Sequence, residues 1–219
     1  MTNTNIPPSD NRVVWYAVYG SNLLRKRFDC YIAGGKPDGS KTEYPGCRDK
    51  TPPREDRQIA LALALYFANH SNSWNASIAF VRHAASGTHT YGRMYLLSYG
   101  QFNDVVCQEN GRDVPGNIVV PPFEDLAHVD HFDITGFRLY GRFIKTGEQD
   151  GHPVLTLTAT QDNFVVGAPS EAYVKTIVAG LEETYPCMRK SEVLDYLGKT
   201  EGIRGLIQSD LLAGWIMGR

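Results

Sequence analysis

The sequence carries a glycine-serine-asparagine turn, Gly20-Ser21-Asn22, directly after an apolar run and directly before a segment with helical spacing. Backbone N–H groups at such a turn are not used by the helix, and the helix dipole adds positive charge there. This arrangement favours a carboxylate or a developing oxyanion as ligand. Gly20 would let a ligand approach the backbone closely, while Ser21 and Asn22 would either cap the helix or donate to the ligand.

The letters around this turn match none of three common site motifs. A Rossmann phosphate loop requires G-x-G-x-x-G, a Walker loop requires G-K-[ST], and a nucleophile elbow requires G-x-S-x-G. The run GSNLLR, which begins at Gly20, has none of these spacings. A nucleophilic Ser21 is a further hypothesis, although the sequence places no base beside it.

A second side chain with useful chemistry is Glu109, in the segment YGQFNDVVCQENG. The segment has the 3.6-residue spacing of a short helix that ends near Gly111. A carboxylate at the end of such a helix, on the floor of a pocket, would have its pKa raised by desolvation. That would suit a group that takes up and returns a proton near neutral pH. The alternative is a solvated glutamate at a helix end.

Two other groups of residues are weaker candidates. Cys107 precedes Glu109 by two residues, but as a nucleophile it would need a histidine that no recognisable motif supplies. We therefore expect a buried, inert thiol. The run HVDHFD, residues 128–133, contains metal-ligating side chains, but nothing in its spacing makes them converge, and we predict no metal site and no cofactor.

Composition excludes several function classes. The 219 residues carry a net charge of −2 from 22 basic and 24 acidic side chains, which predicts neither nucleic acid nor an anionic membrane surface as partner. We expect Trp15, Trp74 and Trp215 in the core or a pocket wall rather than in a base-stacking platform. The start of the sequence does not resemble a signal peptide, and the four cysteines show no CxxC pairing. We expect a reducing, cytoplasmic setting.

Periodicity predicts the elements that position the turn and Glu109. Strands are expected at 13–19, in two apolar runs between 57 and 80 that form a hairpin or two neighbouring strands, and at 90–98, 137–144 and 154–159. Helices are expected at 22–33, before Gly111, and in three amphipathic segments near the end, with N-caps at Ser170, Ser191, and Ser209 or Asp210.

These elements predict an α+β fold with a small, mixed, strongly twisted, barrel-like sheet and flanking helices. Residues 1–12 are expected to be a flexible leader, and 13–219 a single domain that ends in a helical segment. The long Pro- and Gly-rich stretch at 36–56 is expected to be a functional loop or a disordered one.

The run from Tyr16 to Leu23, YAVYGSNL, closely resembles the signature of the γ-glutamylcyclotransferase-like superfamily. Two later segments, GRMYLLSYGQFNDVVCQENG and PSEAYVKTIVAGLEET, are also similar to segments of that family. The resemblance covers about Val13 to Leu197, with a poor match at 36–56. It implies the γ-glutamylcyclotransferase-like fold.

The resemblance also implies site residues and a reaction. Tyr16 and the loop formed by Tyr19, Gly20, Ser21, Asn22 and Leu23 would hold the γ-glutamyl part of a small-molecule substrate. Glu109 would act as general base and acid while the α-amine of the substrate closes the ring of 5-oxoproline. The alternatives are a non-catalytic small-ligand binding module on the same fold and an acyl-group hydrolase or transferase.

The sequence departs from the family at two points. Asn110 follows Glu109 where the family typically has glycine, and the stretches 112–120 and 154–161 lack the tyrosines that family members often contribute. These departures leave the leaving amine open. The sequence also leaves open whether two chains pair as a homodimer.

Overall fold

The computed structural model describes residues 12–38, 43–83, 85, 87–112, 114, 119–137, 139–161 and 163–218. The predicted flexible leader lies outside these residues except for Arg12, and so does part of the loop predicted at 36–56. The described residues form the strands β1 (Val13–Val18), β2 (Asp56–Leu61), β3 (Leu63–Ser71), β4 (Ala76–His83), β5 (Thr90–Ser98), β6 (His131–Asp133), β7 (Arg142–Gln149) and β8 (His152–Thr158). They also form the helices α1 (Arg25–Ala33), α2 (Tyr99–Glu109), α3 (Glu171–Thr184), α4 (Lys190–Lys199) and α5 (Ser209–Met217), with short 3-10 helices at Ser21–Leu23 and Phe123–Ala127.

The strands form one mixed, twisted sheet and one hairpin. The sheet has the order β2-β5-β1-β8-β7-β6, with β1 parallel to β8 and with β8, β7 and β6 antiparallel in succession. The hairpin pairs β3 with β4. The predicted α+β class is confirmed. Within the described residues, no helix combines the length and the apolarity needed to cross a bilayer.

The chain divides into two compact units, each assembled from three stretches of sequence. Of the described residues, the first unit comprises those within 12–18, 26–57 and 94–160, and the second comprises those within 19–25, 58–93 and 161–218. Two of the boundaries fall inside strands, within β2 and within β5. The single domain predicted for 13–219 stays a prediction.

The first unit has an aromatic core built against α2. Every residue of this helix from Tyr99 to Gln108 is buried. The helix begins at a capping box, in which Ser98 and Gln101 exchange hydrogen bonds of 3.1 Å between side chain and backbone. Phe28 of α1 stacks on Tyr95 of β5, with ring centroids 3.9 Å apart. The Tyr16 ring of β1 contacts both Phe28 of α1 and Phe102 of α2, so aromatic packing links the two helices.

The second unit packs helices on the β3–β4 hairpin. Phe67 meets Tyr173 of α3 edge to face, with centroids 6.2 Å apart. Backbone bonds also bring other segments to the hairpin, because Phe67 N donates to Glu201 O and Ser77 N donates to Ala168 O. The backbone groups at the edges of the hairpin are thereby partly satisfied within the unit.

Several predicted boundaries differ from the observed ones. The first apolar run is split at Ala62 into β2 and β3. The strand predicted at 137–144 begins only at Arg142, because Phe137 N closes a turn onto Ile134 O and residues 139 and 140 form bends.

The predicted N-caps differ in outcome. Ser170 is confirmed as the cap of α3, since its hydroxyl accepts from Tyr173 N at 3.3 Å. Ser191 is wrong, because Arg189 takes the cap position of α4 and the Glu192 carboxylate accepts from Arg189 N at 2.7 Å. Ser209 and Asp210 are also wrong, because both lie inside α5 and Gln208 precedes it.

Candidate functional site

The predicted site residues are divided between the two units. Tyr16 and Glu109 belong to the first unit, and the loop Tyr19–Leu23 belongs to the second. That these residues form one site stays a prediction.

Glu109 is the last residue of α2 and is half-buried. The Tyr31 hydroxyl, which comes from α1, donates to its carboxylate oxygen Oε2 at 3.2 Å. Tyr31 itself is 4% exposed. Burial, and next the negative charge of Glu109, raise the pKa of Tyr31 well above its ordinary value. The phenol therefore keeps its proton at neutral pH and can donate a hydrogen bond to the carboxylate.

A second phenol and a guanidinium extend this contact. The hydroxyl oxygens of Tyr31 and Tyr44 lie 3.1 Å apart, and their rings are 4.2 Å apart. Arg27 donates from Nη2 to the Tyr44 hydroxyl at 3.4 Å. Burial also raises the pKa of Tyr44. A row of polar groups thus leads from a cation to the Glu109 carboxylate.

Three polar side chains of α2 hold the segment 43–51 that carries Tyr44. Asp104 accepts from Arg48 N at 2.9 Å and from Arg48 Nε at 3.0 Å. Gln108 accepts from Gly46 N at 3.2 Å, and Gln101 donates to the carbonyl of Thr51 at 2.8 Å. Their spacing of three and four residues places them on one face of the helix.

Asn110, the departure from the family pattern, has a structural task. Its side chain accepts from Tyr140 N at 3.2 Å and donates to Tyr140 O at 3.1 Å. It also donates to Val106 O at 3.0 Å, a carbonyl of the last turn of α2. Asn110 therefore anchors the end of the helix that presents Glu109.

Tyr16 lies in the core of the first unit. It is 4% exposed, and its ring is 5.5 Å from that of Phe102 and 6.1 Å from that of Phe28. Packing in the core is therefore a sufficient reason for an aromatic residue at this position. A contact between Tyr16 and substrate stays a prediction.

In the loop Tyr19–Leu23, only Gly20 and Ser21 are more than slightly exposed. A Cβ at Gly20 would lie 2.9 Å from the Tyr173 hydroxyl oxygen, which accepts from Ala79 N at 3.2 Å. A side chain at position 20 would displace this hydroxyl, so glycine permits the close approach of α3. Gly20 is also the N-cap position of the 3-10 helix, which has no side-chain cap.

The far end of the same loop rests on α3 and on a buried arginine. A Cβ at Gly180 would lie 2.5 Å from Leu23 Cβ, so the helix and the loop touch at backbone distance. Arg93, only 7% exposed, donates to Leu23 O at 3.2 Å and to Glu183 Oε1 at 2.6 Å. Fixing the loop on a helix pre-organises its amides for a ligand.

The other predicted candidates have structural explanations. Cys107 is fully buried, and burial raises the pKa of its thiol to about 11, which opposes a thiolate nucleophile. In the run 128–133, Asp133 forms a two-bond ion pair with Arg142. Among the described residues, no three His, Cys, Asp or Glu side chains could hold a metal ion. Trp15 is buried, as predicted.

A cleft of about 1060 Å³ in the second unit was not predicted from the sequence. None of the predicted site residues lines it. Much of its charge is paired, since Arg82 binds Glu201 and Lys199 binds Asp195 at 2.6 Å. The contacts of Tyr31 and Tyr44 near Glu109 were also not predicted from the sequence. Helical spacing of Arg27 and Tyr31 could have placed these two on one face, but nothing marks Tyr44.

Sequence comparisons find a relative that is similar to this chain over part of its own length. No protein-family model matches the chain. A protein from Arabidopsis thaliana named histone deacetylase 5 is 34% identical over 188 residues, which cover 78% of this chain and 28% of that protein. The chain thus spans less than a third of the length of this curated relative.

Two solved structures match almost the whole chain. A structure of gamma-glutamyl cyclotransferase covers 95% of this chain and 100% of its own, with a TM-score of 0.50 and 17% identity. A human protein described as uncharacterized covers 94% and 99%, also with a TM-score of 0.50 and 17% identity. The chain has the fold of gamma-glutamyl cyclotransferase, as the resemblance implied.

Proposed function

We propose that this protein is a cyclotransferase that releases 5-oxoproline from a γ-glutamyl amide or a γ-glutamyl amino acid. The observation that carries the proposal is the half-buried Glu109 carboxylate, which receives a hydrogen bond of 3.2 Å from the buried Tyr31 phenol. A carboxylate in this setting suits proton transfer, and the fold is shared with a gamma-glutamyl cyclotransferase.

The chemistry requires one base that later acts as an acid. The α-amine of the substrate is protonated near neutral pH, and Glu109 takes one of its protons. The freed nitrogen then attacks the γ-carbonyl, which forms the N–C bond of the five-membered ring. As the amide C–N bond breaks, Glu109 returns its proton to the departing nitrogen, and the released amine also takes up the second proton that the ring nitrogen loses, so that 5-oxoproline and a protonated amine are the products. Binding the substrate in a bent conformation, with its amine close to the γ-carbonyl, accelerates ring closure by orienting the reacting groups.

The loop Tyr19–Leu23 is proposed as the substrate cradle. Gly20 and Ser21 are its more exposed residues, and the support of Gly20 by Tyr173 and of Leu23 by Arg93 fixes its backbone. Amides of this loop would hold the charged end of the substrate or the tetrahedral oxyanion. Tyr16 is proposed as a further contact of the substrate. The proposed reaction needs a small-molecule substrate alone, and we place it in the cytoplasm.

The test is incubation of the purified protein with γ-glutamyl amino acids and γ-glutamyl amines, with 5-oxoproline measured by mass spectrometry. We expect turnover by the wild type and a loss of about 10²- to 10⁴-fold in Glu109→Gln, the range for a general base. Circular dichroism should show that the variant is folded. Glu124→Gln is the matched control, because Glu124 forms an exposed ion pair with Arg12 and should leave the rate within about twofold.

The alternatives predict other results. A non-catalytic module would bind γ-glutamyl compounds without turnover, and the cleft of the second unit would be one place to look for such a ligand. An acyl-group hydrolase or transferase with a Ser21 nucleophile would yield a trapped acyl-serine and would be inactivated by Ser21→Ala. Wild-type turnover by Glu109→Gln would contradict the cyclotransferase mechanism.

A further inference from the structure

The row of groups beside Glu109 fixes where its hydrogens must lie. Tyr31 has one phenolic hydrogen but two oxygen neighbours, Glu109 Oε2 at 3.2 Å and the Tyr44 hydroxyl at 3.1 Å. A carboxylate is the stronger acceptor, so this hydrogen belongs to Glu109. The Tyr44 hydroxyl can then donate to the Tyr31 oxygen across the same 3.1 Å contact, and the Tyr44 oxygen accepts from Arg27 at 3.4 Å. In this arrangement each group donates to the next, from Arg27 through Tyr44 and Tyr31 to Glu109.

We propose that Tyr31 and Tyr44 are positioning residues for Glu109, forming a phenol pair that fixes the direction of its carboxylate and favours its ionised form. The role rests on the proposed function, in which Glu109 must be ionised to accept the proton of the substrate amine. Neither tyrosine needs to touch the substrate. They act through the carboxylate.

The physical basis is the opposition of burial and hydrogen bonding. Partial burial of Glu109 disfavours its charged form, whereas a donor aimed at the charged form stabilises it. A donor that itself accepts a hydrogen bond is polarised and donates more strongly. The fixed positive charge of Arg27, at the far end of the row, favours phenol hydroxyls whose hydrogens point away from Arg27 and toward Glu109.

The phenol pair is held rigidly enough to act in this way. Tyr31 is fixed in α1 and is only 4% exposed. Tyr44 lies in the segment 43–51, which Asp104, Gln108 and Gln101 of α2 bind through backbone and side-chain groups. The helix that presents Glu109 therefore also positions the second phenol.

The charged and titratable groups that act on the two phenols include Glu109 of α2 and groups of α1 and of the segment 43–51. From α1 these are Arg27, Tyr31 and Cys30, the last of which interacts electrostatically with Tyr44. From the segment it is Tyr44 itself. Arg112, which follows α2, has its guanidinium 5.3 Å from the centroid of the Phe137 ring. Substitution of either phenol by phenylalanine changes none of these charges at neutral pH.

The decisive measurement is the pKa of Glu109, followed by NMR of ¹³C-labelled glutamate carboxyl groups and assigned with Glu109→Gln. In Tyr31→Phe we expect this pKa to rise by about one unit, because the lost bond is one to a charged acceptor. In Tyr44→Phe we expect a smaller rise of the same sign. If Tyr31→Phe does not fold, the shift in Tyr44→Phe decides the matter.

Tyr99→Phe is the matched control. Tyr99 is a buried tyrosine of α2 whose hydroxyl donates to Pro121 O at 2.6 Å, so its loss removes a buried hydrogen bond elsewhere. It should leave the Glu109 pKa unchanged. Unchanged Glu109 titration in both Tyr31→Phe and Tyr44→Phe would overturn the inference, and so would an equal rise in Tyr99→Phe.

Kinetics separate this inference from the proposed function. The ionised base is the active form, so a raised pKa moves the acid limb of kcat/KM to higher pH. Tyr31→Phe should lose about tenfold at a pH below this limb and approach the wild-type rate above it. A loss that is equal at every pH would contradict the inference. Absence of 5-oxoproline with the wild type would refute the cyclotransferase proposal, while the NMR titration would still decide the role of the phenols.

Discussion

At the scale of single residues, Asp104 illustrates how the first unit keeps a charge in its interior. Its side chain is 1% exposed, and Arg48, 19% exposed, meets it with side-chain and backbone donors. A buried carboxylate persists only when it is paired and hydrogen-bonded. This pair also holds the segment that carries Tyr44.

We expect Asp104→Asn to lower the free energy of unfolding by about 2–4 kcal/mol. Loss of one member of a buried pair costs about 3–5 kcal/mol, and the partial exposure of Arg48 reduces the penalty. Urea denaturation measures the change. Asp195→Asn is the control, because its ion pair with Lys199 is exposed and should cost at most about 0.5 kcal/mol. Similar small losses in both variants would disprove this account of Asp104.

At the scale of elements, α3 packs closely against the loop Tyr19–Leu23 because Gly180 has no side chain. A Cβ at Gly180 would lie 2.6 Å from Leu24 N and 2.7 Å from Leu23 C, both backbone atoms that cannot simply rotate away. Glycine inside a helix is otherwise unfavourable. Its presence at this position is explained by the close approach of the loop.

Gly180→Ala should therefore destabilise the protein by about 1–3 kcal/mol despite the better helix propensity of alanine. Gly198 of α4 is the matched position, since a Cβ there would meet only Leu212 Cδ2 at 3.8 Å. Gly198→Ala should be neutral or stabilising by up to about 1 kcal/mol. Thermal unfolding of the two variants tests the difference in sign. Two stabilised variants would show that the loop yields to the added methyl group.

Elements whose signals are local were predictable from the sequence. The strand Thr90–Ser98 was placed at its observed bounds, and α2 followed it as expected. Alternation and helical spacing decide such elements within a few residues. Caps failed where the local signal was ambiguous: at α4 a glutamate side chain serves Arg189 N, and Ser191 lies within the helix.

The environment of Glu109 was not predictable in the same way. Its position at the end of a helix was predicted correctly, but Tyr44, which contacts Tyr31 beside it, lies in a Pro- and Gly-rich segment with no periodic pattern. Contacts between Asp104 and Arg48, 56 residues apart, fix that segment. Such long-range bonds between polar groups leave no mark in a single sequence. Asn110, which the family pattern does not contain, gained its explanation only from its bonds to Tyr140.

At the scale of the whole molecule, neither compact unit is a continuous stretch of chain. The residues of β2 and of β5 are shared between the units, with boundaries after Arg57 and after Arg93. Unfolding of either unit would interrupt both strands. We therefore expect the two units to unfold together.

A variant with Trp74→Phe and Trp215→Phe provides the test, because Trp15 then reports on the first unit alone. Far-UV circular dichroism follows mainly the second unit, which contains α3, α4 and α5. The fluorescence and circular dichroism midpoints in urea should coincide within about 0.2 M, as in a two-state transition. Midpoints more than about 0.5 M apart would show independent units and would refute the predicted single domain.

The interleaving also limits how this fold can be inherited. A single crossover in the gene could not transfer one unit to another protein without cutting through the stretches that build its neighbour. The two must therefore be passed on, duplicated or fused as one block.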